Sequence, residues 1–279
     1  MEFTSEDARR AYAAVVDVLD ATVVALDFDG TLAPMVDDPE SARLHPDAPD
    51  ALLDLAGVVR AVAVITGRPA RQAIAMGDLD ALGLEMLERG AELFVFGQYG
   101  NERWSSTERR IRSPRPPAGL ASFERELPGV LRSADAADAY IEEKGLAVAV
   151  HTRRMADPEA AFDRLSKPLI ALAERHHLAV EPGRNVLEVR SGHMHKGHAL
   201  RAFVAEQEAA GVVFGGDDLG DVEAFEAVRE LRAEGLPGLV VCSASTEQPG
   251  LVELAELADV IVDGPRGTVE LLRALVSAR

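Results

Sequence analysis

The sequence predicts an α/β protein with a doubly wound parallel sheet, into which a smaller α+β domain is inserted. Three short apolar runs, at residues 22–26, 61–65 and 211–214, contain β-branched side chains and lead directly into polar, glycine-containing segments. Runs of this kind are typical of parallel strands that are buried on both faces. Helical patterning lies between or after them, and strands that alternate with helices predict a doubly wound sheet.

Further elements continue this alternation. The apolar segments at 239–242 and 260–262 predict two more strands, and residues 1–20 predict an amphipathic helix that packs against the core. Helices are also predicted at residues 48–59, 196–210, 221–234 and 268–277.

The middle of the chain departs from this pattern and predicts a second domain. Residues 112–117 contain three prolines, a composition typical of a boundary between domains. The following segment mixes predicted strands with one long helix, at residues 146–151, 158–176, 178–181 and 185–190. We therefore predict a core domain formed by residues 1–112 and 193–279, with residues 113–192 inserted as a second domain.

The overall charge excludes some classes of partner. With 29 basic and 47 acidic residues, the net charge of −18 would repel nucleic acid and anionic lipid. No apolar run is long enough to span a bilayer, and the first residues lack the basic and apolar regions of a signal peptide. The single cysteine, Cys242, cannot form an internal disulfide. We expect a cytoplasmic location without nucleic-acid or membrane partners, and the oligomeric state stays open.

The strongest chemical signal is a pair of acids after the first predicted strand. Asp27 and Asp29 lie two positions apart in the motif Asp-Phe-Asp-Gly-Thr, so their side chains project in the same general direction. One carboxylate can attack phosphorus to give an acyl phosphate, and the other can donate a proton to the leaving oxygen and later accept one from water. A solvated turn after a strand would contain the same residues, so the motif alone does not decide.

Two further segments offer groups that could bind a phosphate. Thr66, Gly67 and Arg68 follow the second predicted strand, where a hydroxyl and backbone N–H groups could hold phosphoryl oxygens. Lys196 lies at the start of a predicted helix, and its ammonium could stabilise an anionic nucleophile. Each signal alone is weak, because strand-to-helix turns and surface lysines are common.

A glycine-rich turn after the third predicted strand carries three acids. Asp217, Asp218 and Asp221 supply the hard oxygen ligands that Mg²⁺ prefers. Together with Asp27 they could form an octahedral Mg²⁺ site that also binds a phosphate oxygen. Favourable acids at a helix N-terminus are the alternative interpretation.

The order of these motifs resembles that of a known superfamily. Asp-x-Asp-Gly-Thr, Thr-Gly-Arg, a lysine and Gly-Asp-Asp-x-x-Asp look like the motifs of the aspartate-nucleophile phosphatases of the haloacid dehalogenase superfamily. More narrowly, the chain resembles the trehalose-6-phosphate phosphatase family over most of its length. The narrower resemblance rests on residues 27–34, 99–102, 141–144, 151–153, 188–190 and 215–225.

The resemblance implies a haloacid dehalogenase-like core, a cap formed by the inserted domain, and Mg²⁺-dependent hydrolysis of a small sugar phosphate in trehalose biosynthesis. By this resemblance, Asp27 is the nucleophile and Asp29 is the general acid and base. Asp27, Asp217 and the carbonyl of Asp29 would hold Mg²⁺, and Asp218 would act on metal-bound water.

The same resemblance assigns the substrate contacts. The phosphate would be bound by Thr66, Gly67, Arg68 and Lys196. The sugar hydroxyls would be bound in the cap by Glu142, Lys144 and Glu188, with His151 and Arg153 nearby. The chain departs from the family pattern at Thr152, Ser191, His195 and Gly220. The first three lie in or beside the cap, so they bear on the sugar rather than on the reaction.

The residues leave three alternatives open. The same chemistry could act on another sugar phosphate or on a glycosylated phosphoglycerate. A phospho-accepting signalling switch also surrounds Mg²⁺ with acids, a hydroxyl residue and a lysine, but Asp29 and the inserted domain disfavour it. A sugar-phosphate sensor with an inactive site is disfavoured because every catalytic residue type is present.

Overall fold

The computed structural model describes residues 1–36, 38–183, 185–192, 195–244 and 251–279. The strands within these ranges are β1 (Glu2–Phe3), β2 (Thr22–Leu26), β3 (Ala61–Ile65), β4 (Glu92–Gly97), β5 (Glu102–Ser105), β6 (Tyr140–Glu143), β7 (Ala147–His151), β8 (Ala179–Gly183), β9 (Val186–Arg190), β10 (Gly211–Gly216), β11 (Gly238–Ala244) and β12 (Val260–Asp263). The helices are α1 (Glu6–Asp17), α2 (Ala48–Ala56), α3 (Ala70–Gly77), α4 (Leu79–Arg89), α5 (Leu120–Ser133), α6 (Pro158–Arg175), α7 (Lys196–Glu206), α8 (Val222–Ala233), α9 (Leu251–Leu257) and α10 (Gly264–Ser277).

The chain divides into two units. Met1–Ser113 and His195–Arg279 form the first unit, and Pro114–Met194 forms the second. The sequence predicts these boundaries at residues 112 and 193, where the proline-rich segment begins and the second predicted run of core elements resumes. That the inserted unit acts as a substrate cap stays a prediction.

The first unit is built on an eight-stranded sheet with the order β1-β12-β11-β10-β2-β3-β4-β5. The six strands from β12 to β4 pair in parallel, whereas β1 and β5 pair antiparallel at the two edges. The mostly parallel α/β sheet that the sequence predicts is therefore confirmed, with an antiparallel strand added at each edge.

Both faces of this sheet are buried under helices. In β2, Val24 and Leu26 belong to the apolar core beneath α1–α4 and α10, whereas Val23 and Ala25 belong to the core beneath α7–α9. Each large aliphatic side chain buried in this way contributes about 1.5–3 kcal/mol to folding. This is why the central strands are apolar at every position rather than at alternate positions.

The first residues were predicted to form only a helix. The structure confirms the helix for Glu6–Asp17, where Ser5 Oγ accepts a hydrogen bond from Ala8 N at 3.0 Å and caps its N-terminus. It adds β1, which pairs with β12. A strand of two residues is too short to show the alternation of apolar and polar side chains that predicts a strand.

Cys242 is buried in β11, which contains the strand predicted at residues 239–242. Burial raises the pKa of its thiol to about 11. Among the described residues, we find no helix with the length and apolar character needed to cross a bilayer.

The inserted unit contains an antiparallel sheet with the order β6-β7-β9-β8. One face carries Val148, Val150, Leu187 and Val189, which form an apolar core with side chains of α5 and α6. On β7 the alternate residues Ala147, Ala149 and His151 therefore point to the opposite face. Charged side chains of the neighbouring strands surround these alanines.

Candidate active site

Three neighbouring strands bring the predicted catalytic motifs to one edge of the core sheet. The strands β10, β2 and β3 are adjacent and parallel, and they are followed by Asp217, Asp27 and Thr66 respectively. The backbone N–H of Asp27 donates to the carbonyl of Gly215 at 2.8 Å. This contact extends the pairing of β2 with β10 up to the first acidic residue.

A buried cluster of acids forms the centre of this edge. Carboxylate oxygens of Asp27, Asp217 and Asp221 lie within 4.8 Å of one another, and all three residues are buried. Lys196, the first residue of α7, is buried beside them. Its Nζ lies 2.8 Å from Oδ1 of Asp27 and 2.7 Å from Oδ1 of Asp221.

Burial strongly perturbs the ionisation of these groups. It raises the pKa of Asp27 well above its usual range, against the lowering effect of Lys196, and the neighbouring acids raise it further. Burial likewise raises the pKa of Asp221 to about 6. Burial opposes the charge on Lys196, but Asp221 and Asp27 raise its pKa well above the usual value. One ammonium thus faces three acids, and a divalent cation would balance the excess negative charge.

Asp221 is held by the backbone of the turn in which it lies. Its Oδ2 accepts from the N–H groups of Asp217 at 3.0 Å and of Asp218 at 3.3 Å. A Cβ atom at Gly216 would lie 2.3 Å from the Asp221 carboxyl carbon. Only glycine at position 216 therefore lets the carboxylate approach the backbone so closely.

The backbone at Gly30 likewise lies directly against the carboxylate of Asp217. Its φ of +73° lies in the left-handed region that favours glycine, and an added Cβ would lie only 2.0 Å from Oδ2 of Asp217. The carbonyl of Gly30 accepts from Ser243 Oγ at 2.8 Å. The turn after Asp29 is thus shaped to bring the backbone against the acidic cluster.

Arg68 forms a salt bridge with Asp29. Nε and one terminal nitrogen of the guanidinium donate to the two carboxylate oxygens at 2.6 and 2.7 Å. Such a two-point contact fixes the direction of both side chains. The sequence predicts that Arg68 binds the substrate phosphate, and this role stays a prediction beside the observed contact with Asp29.

Thr66 and Gly67 form a tight turn next to this pair. Thr66 is buried, and its Oγ1 accepts from the N–H of Arg68 at 3.1 Å. A Cβ atom at Gly67 would lie 2.9 Å from the ring of Tyr99. The backbone at Gly67 is thus tightly enclosed on the side where Tyr99 lies.

The side chains of Asp29 and Asp218 lie outside the acidic cluster. Asp218 Oδ1 accepts from the N–H of Gly220 at 2.9 Å at the start of a short turn. Metal binding by the carbonyl of Asp29 and action of Asp218 on metal-bound water do not require these side chains in the cluster, and both roles stay predictions. Asp221 belongs to the cluster instead, although the set of metal ligands that the family resemblance implies does not include it. The only sequence signal for it was the third acid of the Gly-Asp-Asp-x-x-Asp motif.

The predicted sugar-binding residues lie on or next to the polar face of the inserted sheet, opposite its apolar core. Lys144 Nζ lies 2.5 Å from Oε2 of Glu188, and His151 Nε2 lies 3.0 Å from Oε2 of Glu142. Cross-strand register places Glu142 and Glu188 on either side of Ala149. Arg153 follows β7 and is exposed. Four of the five predicted residues thus form one ion pair, Lys144 with Glu188, and one hydrogen-bonded pair, His151 with Glu142.

Thr152, one of the departures from the family pattern, is buried. Its Oγ1 donates to the carbonyl of Pro158 at 2.9 Å. The residue therefore ties β7 to the start of α6. The departure therefore affects packing within the inserted unit rather than the polar face of its sheet.

Comparison with known proteins identifies the family. A model of the trehalose-phosphatase family matches residues 25–109 and 130–256. The chain belongs to the trehalose-phosphatase family. The matched residues include the buried acidic cluster and the polar face of the inserted sheet.

Individual members of this family share about a third of their residues with the chain. It is 29% identical over 216 residues to a probable trehalose-phosphate phosphatase of Sinorhizobium fredii, covering 76% of each protein. It is 30% identical to trehalose-phosphate phosphatase of Mycobacterium leprae, covering 78% of this chain but 50% of that protein. The chain therefore spans most of the rhizobial relative and half of the mycobacterial one.

Solved structures confirm the fold. The C-terminal domain of C. albicans trehalose-6-phosphate phosphatase matches with a TM-score of 0.74 at 17% identity, covering 99% of this chain and 98% of that one. A haloacid dehalogenase-like hydrolase from Bacteroides thetaiotaomicron matches with a TM-score of 0.63 at 15% identity, covering 91% and 99%. The predicted haloacid dehalogenase-like fold is thus confirmed.

Replacing Gly30 with alanine should test the contact with Asp217. We expect Gly30→Ala to reduce the free energy of unfolding by about 2–4 kcal/mol, because it adds a clash to the conformational cost. Gly264→Ala is the matched control, since its φ is +55° and no atom lies within 4 Å of an added Cβ. It should lose only about 1 kcal/mol in urea unfolding. Equal losses of unfolding free energy in the two variants would mean that Asp217 does not restrict the space at Gly30.

The stability of the metal-free protein should fall as the pH rises. Since the pKa of Asp221 rises from 3.8 to about 6 on folding, the folded state keeps a proton that the unfolded chain releases. The resulting stability is present below pH 4 and is lost as the pH rises through 6. Urea unfolding in EDTA should show a loss on the order of 2–3 kcal/mol from this group.

The control for this pH dependence is Asp221→Asn, which removes the titrating group. The stability of the wild type relative to this variant should decline between pH 4 and pH 7. A difference that stays constant over this range would contradict the raised pKa.

Proposed function

We propose that the chain hydrolyses trehalose 6-phosphate to trehalose and phosphate through a phospho-aspartate on Asp27. The observation that carries the proposal is the buried Lys196 ammonium, which contacts both Asp27 and Asp221 within the acidic cluster. A carboxylate held in this way is oriented for attack and excluded from bulk water. Membership of the trehalose-phosphatase family supports the choice of substrate.

The first step transfers the phosphoryl group to Asp27. Its carboxylate oxygen attacks phosphorus in line, the bond from phosphorus to the sugar oxygen breaks, and Asp29 protonates that oxygen as it leaves. Arg68 occupies both carboxylate oxygens of Asp29. This contact therefore has to rearrange before Asp29 can reach the leaving oxygen.

The second step returns the enzyme to its starting state. Asp29 takes a proton from a water molecule, which attacks phosphorus and releases phosphate from Asp27. Thr66 Oγ1 and the N–H of Gly67 hold the phosphoryl oxygens, and Lys196 counters their charge. These groups supply donors without adding a carboxylate that would repel the phosphate.

We assign Mg²⁺ to the acidic cluster because its donors are carboxylate oxygens. Asp27 and Asp217 would hold the ion, with the carbonyl of Asp29 as a further ligand and Asp218 near its water. When bound, Mg²⁺ offsets the negative charge of the acids and of the phosphoryl group. Asp221 contributes by fixing Lys196 and the backbone of the turn.

The inserted unit is proposed to recognise the sugar. Glu142 and Glu188 can accept hydrogen bonds from hydroxyl groups, and Lys144 can donate to them. His151 and Arg153 extend this polar surface, so a disaccharide phosphate fits its donors and acceptors better than a plain phosphate ester.

Asp27→Asn tests the assigned nucleophile. We expect phosphate release from trehalose 6-phosphate to fall by several powers of ten, since an amide does not form the acyl phosphate. EDTA should abolish the activity of the wild type, and added Mg²⁺ should restore it. Asp54→Asn is the control, because that acid is half exposed in an ion pair with Arg89. Turnover retained by folded Asp27→Asn would contradict the mechanism.

Lys144→Met tests the proposed sugar-binding role of the polar face of the inserted sheet. We expect kcat/KM for trehalose 6-phosphate to fall about 10–100-fold, because a donor to the sugar is lost and Glu188 is left unpaired. The rate with p-nitrophenyl phosphate, which has no sugar, should be unchanged. Equal losses with both esters would indicate general damage instead.

The matched control is Lys167→Met on α6, which exposes its ammonium on the opposite side of the inserted unit. It should leave both rates unchanged. A substrate panel of trehalose 6-phosphate, sucrose 6-phosphate and glucose 6-phosphate completes the test, and a preference for another ester would reassign the sugar.

A further inference from the structure

A strained turn joins β4 to β5. Gln98 and Tyr99 both have left-handed backbone angles, with φ of +48° and +61°, and Gly100 follows with +101°. Residues other than glycine rarely adopt this conformation, and two in succession persist only where surrounding contacts hold them. The contacts of this turn therefore indicate which function the strained backbone conformation supports.

Two backbone hydrogen bonds attach the turn to the loop of Thr66 and Arg68. The N–H of Gln98 donates to the carbonyl of Arg68 at 2.8 Å, and the N–H of Tyr99 donates to the carbonyl of Thr66 at 2.9 Å. The two bonds bracket Gly67. The Tyr99 ring lies against that glycine, where an added Cβ would be 2.9 Å from both its Cζ and its Oη.

Glu102 extends the attachment to the start of α3. Its Oε2 accepts from the N–H of Ala70 at 2.7 Å, and Pro69 at the N-cap offers no side-chain acceptor. A Cβ atom at Gly97 would lie 2.3 Å from the nitrogen of Ala70. Residues 97–102 thus follow the loop at 66–70 along its whole length.

The same turn also packs against α7, the helix that begins with Lys196. It therefore contacts both elements that carry the proposed phosphate-binding groups. Thr66 follows β3 and Lys196 begins α7, so the two proposed phosphate ligands belong to different elements. The turn at residues 98–100 links these elements through its contacts with both.

We propose that residues 98–102 act as a brace that positions the phosphate-binding loop, with Glu102 as the key positioning residue. The proposal rests on the proposed function, in which Thr66 and Gly67 hold the phosphoryl oxygens. The acceptor at Glu102 fixes the first turn of α3, and the two backbone bonds fix the carbonyls on either side of Gly67. Since the Thr66 carbonyl and the Gly67 N–H belong to one planar peptide group, fixing the carbonyl also fixes the direction of this N–H.

The test compares Glu102→Ala with Glu102→Gln, which keeps an oxygen acceptor for Ala70. We measure kcat and KM with trehalose 6-phosphate, the inhibition constant of inorganic phosphate, and thermal unfolding. Glu102→Ala should lower kcat/KM about 10–100-fold and weaken inhibition by phosphate at least several-fold, since small displacements of binding groups have large effects. Glu102→Gln should recover most of both values.

Glu206→Ala is the matched control. This exposed glutamate at the end of α7 pairs with Arg103, which is next in sequence to Glu102. It should leave kcat/KM and phosphate inhibition unchanged. Tyr99→Ala is the second variant, which should show the same loss of phosphate inhibition even if Glu102→Ala does not fold.

The outcomes separate the proposal from the function on which it rests. Wild-type protein that hydrolyses none of the sugar phosphates overturns the proposed function. An active wild type with unchanged phosphate inhibition in Glu102→Ala and Tyr99→Ala overturns the brace alone, whatever happens to their melting temperatures.

Discussion

The contact of the Lys196 ammonium with Asp27 and Asp221 is the interaction on which the rest of the site depends. Three acids and one base are buried together, and each would be costly in a protein interior without its partners. Their proximity requires β2 beside β10, and it requires α7 to begin at the lysine. The cluster can therefore form only when the strand order, the first residue of α7 and the turn after β10 are all in place.

The same burial explains why the surrounding backbone has so little freedom. Gly30 and Gly216 each face a carboxylate at a distance that excludes any side chain. The acids are thus fixed by steric contact and by backbone hydrogen bonds. Burying these charges lowers the folding stability of the metal-free protein. In return, the charged groups are already in position and need not reorganise during the reaction.

Much of the fold could be predicted because the central strands are buried on both faces. The uninterrupted apolar character of residues 22–26 and 61–65 marks them, and both strands have these bounds in the structure. The edge strand Glu102–Ser105 carries no such pattern, since one side faces solvent and its pairing depends on β4. The sequence likewise predicts Asp27, Asp217 and Lys196 as a group, because all three lie at element boundaries on one edge.

Other features of the site depend on side-chain reach across separate loops. The contact between Arg68 and Asp29 spans two strands, and no local spacing encodes it. Asp221 enters the cluster because a short helical turn folds it back onto the N–H groups of Asp217 and Asp218. The pairing of Lys144 with Glu188 needs the register of strands that are far apart in the sequence.

The buried thiol of Cys242 has a practical consequence for labelling. With a pKa of about 11, roughly one thiol in ten thousand is ionised at pH 7, so the side chain is a poor nucleophile as well as inaccessible. It is also the only cysteine in the sequence. A cysteine introduced on the surface would therefore be modified selectively by maleimide dyes, without first removing a native residue from the sheet.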